Sequence, residues 1–308
     1  MSVIPPIARW HGTRADSADA EQALPRFDER CACRSIAPFP EEKSMQTSET
    51  LFSKADIPRA DRPIRLGSLL FTMVEPRPGY EVAYNRWYER DHFYSGCMIG
   101  AYTVSGGRYV ATRAEKAKRF GSGGMDLAKG SYLALYWILD GHHKDWDAWA
   151  VKQVNDLHAT GRMFKERDHI HTSFYNFDAE YHAPGSSMPI ELALDRAYGG
   201  VVAFIVDLHP GKSAADLTAF LRARDLPGDV ALSGSPLPLD PTSPKDVPVE
   251  ANDRALFLSF SINDPKVIWD SAYGPLGQAI EDSGIGRIAL ASPFIPTIVG
   301  TDSYTDQL

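Results

Sequence analysis

The chain has 308 residues, 44% hydrophobic and 23% charged, with a formal net charge of −8. That is enough chain to bury a core without disulfide or metal staples, and an acidic balance lacking any long Lys/Arg run argues against a dedicated nucleic-acid or anionic-membrane binder. The three cysteines, Cys31, Cys33 and Cys97, are too few for a disulfide framework, and the Cys31/Cys33 pair lacks the second pair that would complete a metal site.

A reducing compartment therefore fits. No apolar run reaches the ~18 residues of a membrane span, and no basic-then-apolar leader opens the chain, so the cytoplasm is the expected location. Residues 1–62 mix Pro, Ser, Ala and charged residues without periodicity and read as a disordered arm. Met45 reads as an alternative start.

From Leu66 the texture changes. Leu66 to Val74 is an apolar run closed by a Pro-Gly turn, a strand. Tyr80 to His92 carries Tyr80, Tyr84, Trp87 and Tyr88 at helical spacing, and His92 closes that helix. Ala101 to Thr112 is β-rich, with Gly106-Gly107 suggesting a bulge or bend. Ser131 to Leu139 is an apolar and aromatic strand. Asp145 to Arg162 sets Trp146, Trp149, Ala150, Val154 and Leu157 on one helical face. Asp168 to Phe177 alternates as a half-buried strand. The order is βαββαβ, the ferredoxin-like split motif.

The order then recurs: strand Gly200–Leu208, helix Ser213–Arg224 opened by a Ser213/Asp216 capping pair, strands Val230–Leu239 and Ala255–Ile262, a broken helix from Asp264 to about Asp282, and strand Ile288–Val299. Pro293 and Pro296 confine that last strand to an edge or bulge. The Pro-rich loop Ser235–Val249 is long for a compact domain. The expected class is α+β. Residues 63–182 and 198–308 are tandem ferredoxin-like units joined by a linker, 183–197, and form an intrachain dimeric α/β-barrel. Their bare sheet faces cover each other, with a pocket at the barrel mouth.

The stretch Tyr84-Asn-Arg-Trp-Tyr-Glu-Arg-Asp-His92 resembles the first helix of dimeric α/β-barrel proteins of the EthD type, which show N-x-W-Y-x-x-x-H there. Asn85, Trp87, Tyr88 and His92 match that spacing. In the second copy Asp225 falls where the histidine would be. The resemblance implies the fold and a small-molecule site near His92. It does not fix a reaction, because the superfamily spans monooxygenases, cyclases, isomerases, lyases, dehydratases and haem proteins.

Three histidines are catalytic candidates. His92 can exchange a proton near neutral pH or merely cap its helix. His169 and His171, two apart on a strand, should share one face. They could form an acid/base pair, bind a metal with a third ligand, or sit solvated at an edge. Tyr88, Tyr102, Tyr132, Tyr136, Tyr175 and Arg108 are candidates for substrate binding, since tyrosine suits an aromatic or oxygenated ligand and arginine a carboxylate or phenolate. Trp87, Trp146 and Trp149 read as packing, and His142 and His143 as solvated. No Walker loop, G-x-G-x-x-G, G-x-S-x-G or H-E-x-x-H appears.

The expected function is a cofactor-independent lyase, cyclase, isomerase or dehydratase, with no metal and no haem, acting by histidine acid/base chemistry on a small apolar or aromatic compound. The alternatives are a non-catalytic binding or scaffolding protein, or a metal- or haem-dependent enzyme. Neither nucleic acid nor membrane is an expected partner, and a homo-oligomer is left open.

Overall fold

The computed structural model describes residues 64–239, 242 and 254–308. The arm of residues 1–62, Cys31, Cys33 and most of the 235–249 loop lie outside them. The first strand, β1 (Leu66–Pro76), is mostly apolar because it is buried on both faces, with Ser68, Thr72 and Glu75 its polar members. Leu69, Phe71 and Met73 point one way and Leu70 and Val74 the other. After a left-handed Gly79 (φ +89°), α1 (Glu81–Trp87) passes without interruption into a π-helix, Tyr88–Met98. The helix therefore does not end at His92. No glycine or proline stands between Tyr80 and Ser95 to stop it, and the wider i→i+5 turn carries the chain on.

Then come β2 (Thr103–Val110), a short α2 (Arg113–Lys116), β3 (Tyr132–Leu139), α3 (His143–Ala159) and β4 (Arg167–His182). Gly106 and Gly107 make no bulge; the register shift lies between Thr103 and Ser105. A side chain at Gly106 would strike Met98, so that glycine permits close packing beneath the π-helix.

The remainder comprises β5 (Gly200–Leu208), α4 (Ala214–Arg222), β6 (Val230–Leu237), β7 (Arg254–Ser261), α5 (Gly274–Asp282) and β8 (Gly286–Pro296). A 3-10 turn (Pro265–Ile268) and a π-turn (Trp269–Tyr273) lead into α5. Asp216 accepts from the Ser213 backbone N–H at 2.8 Å, the expected reciprocal cap.

All eight strands are antiparallel to their neighbours and close a barrel in the order β1-β3-β2-β8-β5-β7-β6-β4. The expected pair of facing sheets is thus joined at both edges, which removes the edges altogether. One junction, β4 with β6, runs from Phe174 opposite Leu237 to His182 opposite Val230. The other, β2 with β8, holds only Tyr109 opposite Pro296 and Val110 opposite Ile295, which suits the two prolines of β8.

The barrel interior is packed with Leu69, Phe71, Leu135, Trp137, Val201, Ile205, Leu258, Phe260 and Phe294. The expected pocket at the mouth is instead occupied. The linker forms a 3-10 turn (Ile190–Leu192) whose Ile190, with Ala193 and Leu194, joins that core, and the Trp137 indole N–H donates to the Ile190 carbonyl at 3.0 Å. Two further apolar layers separate the outer barrel face from the helices, one in each half. Because Ile190 is fully buried, Ile190→Ala should destabilise the fold by about 2–5 kcal/mol. Urea unfolding should show this as a lower midpoint at unchanged slope.

Candidate functional site

Between the outer face of β1 and β4 and the π-helix and α3 lies a cavity of about 100 Å³. Its walls are largely apolar, with Leu70, Val74, Ala150, Val154, Met163 and Phe174. Its polar groups come from His92, Asp147, Arg167, His169, Thr72 and Thr172. A volume of this order suits a single ring or a short chain. It falls below the range for drug-sized ligands, and so for a haem macrocycle.

Two local irregularities aim the histidines. In β4, Met73 lies opposite His171 but Val74 lies opposite His169, so Ile170 is an extra residue in a β-bulge. The bulge reverses the alternation, and the expectation that His169 and His171 share a face is overturned. His169 joins the helix-side cavity. His171 points into the barrel, buried edge-on against Phe71 at 5.6 Å. A His169/His171 metal pair is thereby ruled out, and among the described residues no group of three His, Cys, Asp or Glu is placed to hold a metal.

His169 Nδ1 lies 2.8 Å from Thr172 Oγ1, which lies 2.9 Å from Thr72 Oγ1. This hydroxyl relay can serve either tautomer, since each threonine both donates and accepts. His92 sits within the π-helix, its ring stacked on Trp87 with centroids 4.5 Å apart and planes at 15°. Trp87 is fixed in turn by its indole N–H donating to the Arg162 carbonyl at 2.7 Å and by the Arg167 guanidinium 5.3 Å from its ring centroid. Trp87 is therefore more than packing. Gly96 is required here, because a Cβ would come within 2.6 Å of the His92 ring.

The tyrosines divide. Tyr88 borders the cavity, and its hydroxyl pairs with that of Tyr136 at 2.8 Å. Burial raises both phenols well above their ordinary range. Tyr136 lies behind this wall beside Cys97, whose thiol is pushed up to about 12 by burial despite a hydrogen bond from Tyr136. Tyr132 lies under Arg108, 4.6 Å from guanidinium carbon to ring centroid, and burial pushes its phenol up to about 12. Arg108 itself donates to Asn85 Oδ1 at 2.7 Å and does not reach the cavity.

Tyr175 is inside the barrel, its hydroxyl 2.7 Å from His171 Nε2. Tyr102 stands outside the site on an exposed turn at φ +72°, stacked on His142 at 3.8 Å. His143 is not solvated; its Nδ1 lies 2.9 Å from Ser68 Oγ, and burial lowers its pKa.

Sequence reasoning missed Asp147, Arg167, Thr72 and Thr172. Asp147 was within reach, since 147, 150, 151 and 154 form a helical stripe on α3 that meets the cavity. It also missed a strap. The C-terminal segment after β8 crosses to α1, where Asn85 Nδ2 donates to the Thr301 carbonyl at 2.9 Å. Arg86 Nε donates to Asp302 at 2.9 Å, and Gly300 N–H donates to Glu89.

No family model matches the chain, and no curated protein matches it. Solved structures similar to it include the following three. A monooxygenase-like protein of Fusobacterium nucleatum is 9% identical, with TM-score 0.45, over 77% of this chain and 95% of that one. An anthrone oxidase-like protein is 9% identical, with TM-score 0.48 and the same coverage. A chlorite dismutase-like protein is 12% identical, with TM-score 0.45, over 79% and 100%. At such identities the likeness is confined to the course of the chain.

Burial, and secondarily the charge of Arg254, lowers the His171 pKa from 6.5 to about 3. The unfolded chain therefore takes up a proton between those values that the folded chain refuses. The resulting stability is whole above pH 6.5 and is lost as pH falls toward 3. His171→Gln, which can still bond Tyr175 but cannot titrate, should reduce the fall in unfolding free energy between pH 7 and 4.5 by about 2–3 kcal/mol, measured by urea titration at the two pH values.

Proposed function

We propose that the chain is a dimeric α/β-barrel protein built from two diverged ferredoxin-like copies. Its first copy is an enzyme that moves protons on a small, largely apolar molecule of about one ring. The observation that carries this reading is that His92 and His169, from different elements, line one apolar cavity. Imidazole is the side chain whose ordinary titration lies nearest neutrality, and two of them facing one small volume can serve as base and acid to a single ligand. The stack on Trp87 and the threonine relay hold each ring in one orientation, as proton transfer requires.

The apolar wall excludes water and strengthens each polar contact to the ligand. The reaction classes that fit are those needing only proton removal and return: isomerisation, dehydration, cyclisation or lyase cleavage, with no cofactor taking part. His171, kept neutral by burial, takes no part. The second copy supplies support. Phe204, Phe257, Trp269 and Tyr273 fill the layer beneath its helices, and Asp225 is exposed.

The test is a screen of single-ring metabolites, followed by substitution. His92→Ala and His169→Ala should each lower turnover by about a hundredfold or more, while His171→Gln should stay within a few-fold of the parent. Full activity in both alanine variants, on a substrate the parent converts, would overturn the assignment.

A further inference from the structure

The seam between β2 and β8 differs from every other junction of the barrel. After Tyr109 opposite Pro296 the ladder stops, and the Thr297 N–H to Arg108 carbonyl bond at 3.1 Å is the last across it. Beyond that bond the two strands part around a cavity of about 460 Å³. Gly106 and Gly107 leave its floor without side chains, Phe93 and Tyr94 of the π-helix form one wall, and Tyr198 with Ala197 forms another. Its size lies within the range of small-molecule sites, and several times that of the helix-side cavity.

Its charges are unbalanced in a definite way. Arg108 and Arg196 both line it, and neither has a carboxylate partner among the described residues. Arg108 Nη2 is buried without a hydrogen-bond partner. Exposed Arg196 lies over the Tyr198 ring, 5.4 Å from its centroid. Glu89, which also lines the cavity, is engaged by the Gly300 N–H, and neighbouring Asp195 accepts from Ser105 Oγ at 2.6 Å.

We propose that this seam cleft is a second ligand site, which takes an aromatic carboxylate of about two rings. The rings lie against Phe93, Tyr94 and Tyr198, whose faces and edges suit planar ligands. The carboxylate meets Arg196, a planar donor fork matched to it, in the field of Arg108. The π-helix is the partition between the two cavities. Tyr88, His92, Gly96 and Cys97 face the smaller one, and Glu89, Phe93 and Tyr94 face the seam.

Calorimetric titration of the full chain with 2-naphthoate, and with neutral 2-naphthalenemethanol, tests this. Saturable binding of naphthoate at one site is expected, with the alcohol about tenfold weaker or more. Arg196→Ala should weaken naphthoate to the level of the alcohol, and Ala197→Trp, which fills the cleft from its exposed rim, should abolish both. Val154→Phe, which fills the helix-side cavity, should leave binding unchanged. The proposal is overturned if the folded parent shows no saturable binding, or if binding survives Arg196→Ala and Ala197→Trp intact. Loss of binding with Val154→Phe alone would place the ligand in the helix-side cavity and likewise overturn it. None of these outcomes depends on whether His92 and His169 are catalytic.

Discussion

Closure of the eight-stranded ring is the constraint on which the rest depends. A sheet that closes on itself has no edge to protect, but it must fill its interior with its own side chains. Here the filling is complete enough that even the linker is drawn in, with Ile190 held under the Trp137 indole. Among the described residues, one cavity lies where the ring's outer face meets its helices and another where the ring itself is incompletely zipped. Both kinds of space occur, and both border the π-helix.

Two departures from regular periodicity aim His92 and His169 at the helix-side cavity. Without the Ile170 bulge, His169 would follow His171 into the barrel, where burial holds an imidazole neutral far below its ordinary pKa. Without the π-helical stretch, the turn carrying Tyr88, His92 and Gly96 would present a different face to β1 and β4. Such irregularities are weaker in hydrogen bonding than regular structure and recur at functional sites. Here both fall at one small cavity.

The sequence made the strand and helix order legible, because the apolar runs of β1, β3, β5 and β7 and the stripe of α3 have unambiguous periods. It also made His92 and His169 legible as candidates. Counting by twos could not reveal which face His169 occupies, since one extra residue inverts the count and Ile170 looks like any other strand residue. The helix running past His92 was hidden for a similar reason; the 3.6-residue period does not announce a switch to a wider turn. Tyr102 and Tyr175 were grouped with the site on chemistry alone, and chemistry does not say on which side of a sheet a phenol lies. The C-terminal strap involves partners some 200 residues apart, as between Arg86 and Asp302, and no local pattern encodes it.

That strap ties the two halves of the ring together. A π-helical stretch is a rare conformation, and bonds from beyond the helix help to hold it. Here the supporting bonds to Asn85, Arg86 and Glu89 come from residues 300–302, which follow the last strand of the other half. A second tie runs from Lys266, in the 3-10 turn after β7, to buried Glu115, which caps α2 by accepting from the Thr112 N–H at 2.9 Å. The second half fills its own helix layer with Phe204, Phe257 and Tyr273, and its C-terminal extension ties down the helix that carries His92.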